Sequence, residues 1–348
     1  MADAHLNGSL NLPGAEDVFR TVSAIAGDSI TKIPDGETDE RQGWIAALVP
    51  RLHDVPQLEA GERKYGYSAA PLFSIKAGVS SDEIDVPELG YADAARHAYP
   101  LFLRLRDEGV IRHGTRFQVS MPTVTAGCEP FIAADHQEAF EPAYARRLRA
   151  EVNEILAAVP PEDLAMQWDV AVEMGIVEGV FPAHFADRFD GVVTRLGQLS
   201  AWIPPGVPLG YHLCYGDAPA KGNGEPGGEQ GEGRHWKEPK DTSKLVAVAN
   251  AVTEGAARPL DWFSMPVPIA RDDDSYVEPL ADLRLHDRTR LYLGLVHHQD
   301  GVEGTQRRIG TAKRHYQRGF GVSTECGMGR KPRKLIPQLL EIQARVHV

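Results

Sequence analysis

One histidine and two cysteines in this sequence have the residue types and spacing of a metal site. His212-Leu213-Cys214 ends a short apolar run typical of a β-strand, and positions i and i+2 of a strand face the same side. Cys326 ends a later run of the same kind and can reach the same point. One imidazole and two thiolates favour zinc, and three protein ligands leave the open position of a catalytic site. Alternatively, both cysteines are small buried hydrophobes, which is what we expect of Cys128.

Two carboxylates form the second candidate group. Glu37 and Asp169 each follow a predicted strand, and together they can hold a substrate's ammonium group or act as acid and base. Gln167 and Asp169 give an otherwise apolar strand a polar face. For Glu37 an alternative stays open, because the PDGE sequence is a turn signal and an acid beside it can cap the following helix.

Histidines supply the third group. His297 and His298 end a predicted strand, and because successive residues point in opposite directions, at most one of them faces the site. That one can protonate a leaving group, although an ordinary loop histidine explains the pair equally well. His235 and Trp236 lie on a glycine-rich loop and can close over a bound ligand.

The elements that must position these residues alternate along the chain. We predict strands at 4–9, 29–34, 115–121, 163–169, 207–214, 260–265, 290–296 and 320–324. We predict helices at 14–26, 38–52, 94–109, 136–158, 185–200, 242–256, 302–318 and 333–346. This pattern predicts a single (β/α)8 barrel spanning 1–348, with reactive residues at the carboxyl ends of its strands. An open doubly wound sheet is the alternative, but no glycine-rich dinucleotide fingerprint follows the first strand.

Two segments interrupt the alternation. Residues 55–93 are expected to be a long irregular stretch. Residues 216–240, which contain GDAPAKGNGEPGGEQGEG, are rich in glycine and acids and predict a mobile loop. Because this loop follows Cys214 directly, we expect it to cover the metal when substrate is bound. A tolerated surface insertion is the alternative.

Composition excludes several classes of protein. The chain has 348 residues and a net charge of −12, which disfavours a nucleic-acid surface. It has no apolar stretch long enough to span a membrane and no secretory signal at its N-terminus. Its three cysteines are too few for a disulfide framework and suit a reducing cytoplasm, where we expect the protein to act.

The motifs YHLCYGD and TECGMGR resemble the catalytic C-terminal domain of cobalamin-independent methionine synthase. That domain belongs to a barrel superfamily shared with uroporphyrinogen decarboxylase. LNGSL is similar to the family's Gly-Ser motif, DGETDER to its Gly-Glu motif and MQWDVA to its Gln-x-Asp motif. The resemblance implies zinc ligands at His212, Cys214 and Cys326. It also implies that Glu37 and Asp169 bind an amino group beside Ser9.

The sequence departs from this family at one ligand. The methionine synthases carry a glutamate ligand on the sixth strand, followed by Ser-Arg, and this chain has DWFSMPVP there, with Met265 or Pro266 in place of the acid. The zinc is therefore expected to have three protein ligands plus water or substrate. We expect no counterpart of the family's additional N-terminal barrel. Folate is a possible but unspecified alkyl donor.

Three functions fit these residues. The first is zinc-dependent alkyl transfer, most simply of a methyl group, to a small-molecule thiol that the metal deprotonates. The second is a lyase or decarboxylase of a small organic substrate on the same barrel, with or without metal. The third is a non-catalytic metal- or thiol-binding protein. Dependence of product formation on an added thiol distinguishes the first from the others.

Overall fold

The computed structural model describes residues 3–62, 70–216 and 235–348. The strands are β1 Lys32–Pro34, β2 Leu58–Gly61, β3 Leu72–Ile75, β4 Arg116–Pro122, β5 Leu164–Val170, β6 Leu209–Leu213, β7 Trp262–Pro266, β8 Arg290–Gly294 and β9 Gly321–Val322. The α-helices are α1 Ala15–Ala26, α2 Leu48–His53, α3 Tyr91–Asp107, α4 Val124–Cys128, α5 Gln137–Ala158, α6 Val172–Val177, α7 Arg188–Leu199, α8 Ser243–Gly255, α9 Asp274–Val277, α10 Gly301–His315 and α11 Ile336–Arg345. Short 3-10 helices span Glu40–Ala47, Ser81–Glu83, Ser200–Trp202, Glu278–Asp282 and Arg333–Leu335.

Seven strands form one curved parallel sheet in the order β1-β4-β5-β6-β7-β8-β9. The segment predicted as the first strand, 4–9, makes only isolated bridges, in which Ala4 pairs with both Ile30 and Val322. One extended stretch therefore lies between the two edges of the sheet without forming a full strand. The predicted barrel is thus confirmed as a mixed α/β fold with a barrel-like parallel sheet. Of the eight predicted strands, the one at 4–9 is not formed as a full strand.

The core lies around this sheet. Every residue of β5 and of β6 is buried, because helices cover a parallel sheet from outside and side chains fill its interior. Helix α1 turns Val18, Phe19 and Val22 inward, as its spacing predicts. Cys128, expected in the core, is buried at the end of α4.

Two predicted segments differ from the structure. The helix predicted at 38–52 is a 3-10 helix, Glu40–Ala47, followed by the short α2, because Trp44 takes a left-handed φ of 55° that no continuous helix tolerates. The stretch 55–93, predicted to be irregular, contains the antiparallel pair β2–β3 and the first residues of α3. Three of the four β2 residues are exposed, so the strand lacks a clear apolar alternation.

The glycine-rich loop is described only at its ends. Residues 217–234 of the predicted loop 216–240 lie outside the described residues, as do 63–69, so the predicted movement of this loop is untested. Within the described ranges, none of the helices has both the length and the apolar composition needed to cross a membrane.

Candidate metal centre and carboxylate pair

The three predicted metal ligands come together at the carboxyl end of the sheet. His212 is on β6, Cys214 follows that strand directly, and Cys326 follows β9. Their ligand atoms all lie within 4.8 Å of one another. Zinc bonds of about 2.0–2.3 Å in a tetrahedral arrangement place ligand atoms roughly 3.5–4 Å apart. The donor set and its spacing therefore fit a zinc ion with small adjustments of side chains.

The position of His212 follows from strand alternation and register. Its neighbour Tyr211 points outward, where its hydroxyl donates to the Leu196 carbonyl at 2.7 Å. The imidazole points inward, with Nδ1 3.3 Å from Asp169 Oδ1 and Nε2 3.2 Å from the Glu325 carbonyl. Burial lowers the pKa of His212, but Asp169 and the nearby Cys326 more than offset this and leave the pKa raised. Both ring nitrogens therefore have a polar partner in this structure, and one nitrogen would exchange its partner for a metal ion.

The two thiols differ in their surroundings. Cys214 is buried, and its Sγ accepts a hydrogen bond from the Gly216 amide at 3.2 Å. Cys326 is half-buried, and Nη2 of Arg330 lies 3.6 Å from its Sγ. A backbone amide and a guanidinium both stabilise the thiolate form, which is the form that binds metals.

The carboxylates of Glu37 and Asp169 lie near each other beside the metal-ligand group. Both are buried, and Asp169 Oδ1 accepts from Gln167 Nε2 at 2.9 Å. Burial, and then the charge of Asp169, raise the pKa of Glu37 well above its usual range. Two buried carboxylates repel each other when both are ionised, and a bound cation would relieve this repulsion. The ammonium group of a substrate, which the sequence analysis expects here, would be such a cation.

Ser9 is held next to this pair by the first segment of the chain. Gly8 has a φ of 120°, and a Cβ there would lie 2.9 Å from Glu37 Oε1, so only glycine lets the carboxylate approach. The Ser9 hydroxyl oxygen accepts from the Gly329 amide at 3.2 Å. Ser9 thereby links the carboxylate pair to the segment that follows Cys326.

Of the two adjacent histidines, His297 lies beside the metal-ligand group. Its Nε2 is 3.0 Å from the Val267 carbonyl, and its Nδ1 is 3.7 Å from the Glu325 carboxylate. Burial and the charge of Arg308 lower the pKa of His297 to about 3, so the ring is neutral at pH 7. His298 is half-buried, and its carbonyl accepts from the Gln338 side chain.

Glu325 joins residues that the sequence analysis does not connect. Besides His297, its carboxylate contacts His235, whose Nε2 is 3.3 Å away. The side chain of His235 is 8% exposed, and Trp236 packs its ring against Gly216. His235 and Trp236 thus lie next to the metal-ligand group, at the end of the loop. The contact between Glu325 and His235 joins residues that are far apart in the sequence, so no sequence pattern predicts it.

Sequence reasoning also misses a buried acid near the carboxylate pair. Glu173, at the start of α6, accepts a hydrogen bond from the Thr123 hydroxyl, and its other oxygen has no hydrogen-bond partner among the described residues. Burial raises the pKa of Glu173 to about 7. Its only sequence signal is its position four residues after Asp169.

Comparisons with known proteins agree with this fold. No protein-family model and no curated protein sequence matches the chain. Among solved structures, a B12-independent methionine synthase from Shewanella sp. W3-18-1 in complex with selenomethionine matches with a TM-score of 0.60 and 15% identity, covering 99% of this chain and 96% of that chain. A protein from Listeria monocytogenes assigned as a vitamin-B12-independent methionine synthase matches with a TM-score of 0.57 and 12% identity, covering 99% and 95%. The resemblance seen in the motifs is therefore confirmed as a shared fold.

Proposed function

We propose that this protein is a zinc-dependent alkyltransferase, most simply a methyltransferase, whose acceptor is a small amino-acid-like thiol. The observation that carries this proposal is that the metal-ligand group and the carboxylate pair lie side by side at the carboxyl end of the sheet. Asp169 belongs to both, because it lies 3.3 Å from His212 and influences the pKa of Glu37. One face thus binds sulfur and the neighbouring face binds an ammonium group.

The metal would be held by His212, Cys214 and Cys326, with one position left for the acceptor. When bound, zinc would take up the thiol sulfur and keep it deprotonated and nucleophilic near neutral pH. The shared fold with B12-independent methionine synthases, one of them solved with selenomethionine, supports an acceptor of this kind. It is an analogy of fold, and the site residues supply the chemical argument.

The chain's own residues would orient the acceptor. Glu37 and Asp169 would accept hydrogen bonds from its ammonium group, and the Ser9 hydroxyl would help to orient the acceptor beside them. Gln167 keeps Asp169 in place through the 2.9 Å hydrogen bond. Because both carboxylates are buried, little water competes for these contacts. Fixing two reactants in this way supplies much of the rate of a transfer reaction.

Proton transfer to the leaving group would fall to the histidines at the pocket mouth. His297 and His298 are our candidates, and His297 is held between the Val267 carbonyl and Glu325. Because His297 is neutral at pH 7 and its Nε2 is engaged by the Val267 carbonyl, donation of the proton itself would fall to His298, with His297 as a neighbouring polar group. The alkyl donor is unspecified, and folate is one possibility.

A lyase or decarboxylase is the second candidate, favoured by what stands on β7. Met265 and Pro266 are buried where the resembling family has a glutamate ligand, and the metal-ligand group of the described residues contains three residues. A site with one ligand fewer can accept a different substrate atom at the metal.

Metal analysis combined with X-ray absorption tests the proposal. We expect one zinc per chain with two sulfur ligands at about 2.3 Å, and a third sulfur when L-homocysteine is added. Retention of zinc without a third sulfur, with any thiol offered, would favour the lyase. Full activity of metal-free protein would refute the zinc mechanism.

A further inference from the structure

His5 is a buried histidine inside the curved sheet to which the proposed reaction gives no role. Its backbone amide donates to the Val322 carbonyl at 2.9 Å, in the extended stretch between the two edges of the sheet. Its imidazole is fully buried and stacks on the ring of Tyr292, with centroids 4.8 Å apart. Its Nε2 lies 2.8 Å from Gln167 Oε1. A buried imidazole therefore contacts the same side-chain amide that holds Asp169.

The hydrogen bonds around Gln167 fix which way its side-chain amide faces. The indole nitrogen of Trp262 can only donate, and it lies 3.2 Å from Gln167 Oε1. The amide oxygen therefore faces Trp262 and His5, and the NH2 group donates to Asp169 Oδ1 at 2.9 Å and to the Asn7 carbonyl at 3.2 Å. A flipped amide would place its oxygen against these two oxygens and its NH2 group against the indole N–H, so both sides would lose their hydrogen bonds.

The same reasoning assigns the proton of His5. Because Gln167 Oε1 is an acceptor, His5 Nε2 must carry the proton of their hydrogen bond. Burial, and then the charge of Lys32, lower the pKa of His5 well below its usual range, so the ring is neutral at neutral pH. Its Nδ1, left with a lone pair, has no hydrogen-bond partner among the described residues. His5 thus donates its single ring proton to Gln167.

We propose that His5 is a positioning residue for the carboxylate pair: together with Trp262 it holds the Gln167 amide in the orientation that donates to Asp169. Asp169 Oδ1 is thereby kept in one place beside His212. The inference rests on the proposed function in one respect, namely that Asp169 binds the acceptor's ammonium group. The tautomer of His5 and the orientation of Gln167 do not depend on what the site binds.

Nitrogen NMR of protein with isotope-labelled histidine tests the assignment without any ligand. The signals of His5, identified by their loss in H5Q, should be those of a neutral ring with its proton on Nε2 at neutral pH. A proton on Nδ1 would overturn the proposal, because Nε2 could then not donate to Gln167.

Calorimetric titration of the zinc-loaded protein tests the consequence for binding, with L-homocysteine and 4-mercaptobutanoate as probes. The second probe lacks the amino group and would make no use of Asp169. H5F keeps a ring against Tyr292 but cannot donate, so it should weaken L-homocysteine binding by about 3- to 10-fold, as expected for one hydrogen bond, and change 4-mercaptobutanoate binding by less than about twofold. H5Q, whose amide can donate in place of Nε2, should recover most of the loss. Y292F, the matched control, keeps the ring beside His5 and removes a hydroxyl that contacts Lys32 rather than Gln167, so it should behave as wild type.

A double-mutant cycle separates positioning from a general effect on the fold. In the Q167M background, H5F should change L-homocysteine affinity by less than about twofold, because the amide through which His5 acts is absent. W262F removes the other donor to Gln167 Oε1 and should show the same selective loss, which supplies the comparison if H5F does not fold.

Equal weakening of both thiols by H5F, or the same loss in the Q167M background, would overturn the positioning role of His5 while leaving the proposed function standing. If wild-type protein binds L-homocysteine no more tightly than 4-mercaptobutanoate, the ammonium site of the proposed function fails, and the role of His5 in binding fails with it.

Discussion

Glu37 is the residue at which the proposed acceptor site can be tested most cleanly. Unlike Asp169, Glu37 has no contact with a proposed metal ligand among the contacts described above, so a change there separates acceptor binding from metal binding. Replacing it with glutamine keeps the shape of the side chain and removes its charge. We expect E37Q to keep its zinc and to lose affinity for thiols that carry an ammonium group.

The size of the effect follows from the burial of Glu37. Glu37 is only 8% exposed, so water cannot replace the lost contact. A hydrogen bond to a charged group contributes about 1.5–3 kcal/mol, and about 1.4 kcal/mol is a tenfold change in affinity. E37Q should therefore weaken L-homocysteine binding by roughly 10- to 100-fold.

The pH dependence gives a second, independent measure. Burial and the charge of Asp169 raise the pKa of Glu37, so over the pH range below that raised pKa the free protein holds a proton that ammonium binding must displace. Wild-type affinity should then rise with pH until this pKa is passed. E37Q should lack this part of the rise and keep only the part that comes from deprotonation of the thiol.

Titration calorimetry at several pH values, with zinc-loaded protein, measures both effects. The matched ligand is 4-mercaptobutanoate, which is homocysteine without its amino group and should bind wild type and E37Q equally. If E37Q weakens both thiols to the same degree, or keeps the full pH dependence, Glu37 does not bind the ammonium group.

Three further predictions concern the metal, the barrel interior and a backbone position. C214A and C326A should each lose most of the zinc, whereas C128A should keep it; metal analysis decides, and zinc retained in either of the first two removes that residue from the site. Burial lowers the pKa of Lys32 from 10.5 to about 8. Between these two pH values the unfolded chain holds more protons than the folded one, so stability should rise with pH. Measured by urea unfolding, the free energy of unfolding of wild type relative to K32M should increase by about 3 kcal/mol from pH 8 to 10.5. A difference that does not change with pH would refute the shift. G8A should lower the free energy of unfolding by about 1–3 kcal/mol, since alanine is strained at a φ of 120° and its Cβ would crowd Glu37; an unchanged urea midpoint and unchanged thiol affinity would argue against the close packing.

Sequence alone predicts the metal-ligand group because its geometry is local or set by the barrel. Alternation along β6 puts His212 and Cys214 on one side, and the parallel sheet brings the end of β9 to the same face. Asp169 follows for the same reason, being paired in register with His212. Alternation and register need no knowledge of distant side chains.

The residues that sequence reasoning misses depend on packing between distant segments. Arg330 lies 3.6 Å from the Cys326 Sγ in a segment that is tied to Ser9, and Glu325 contacts His235. Neither contact has a periodic signal. The break at Trp44 likewise reflects a backbone conformation that helix propensity does not anticipate, because propensity describes the average residue and not a left-handed one.

Under the proposed function, the register of two strands would also limit the length of the acceptor. Asp169 and His212 are partners on neighbouring strands, which lie about 4.8 Å apart, and Cys214 lies two residues further along β6. The distance from the proposed ammonium site to the candidate metal site would therefore be set largely by the pairing of these strands. A thiol whose amino group and sulfur are separated by a few carbons can reach both sites at once, whereas a much longer one must bend or give up one contact. The same pairing that builds the sheet would thus select a short amino-acid thiol.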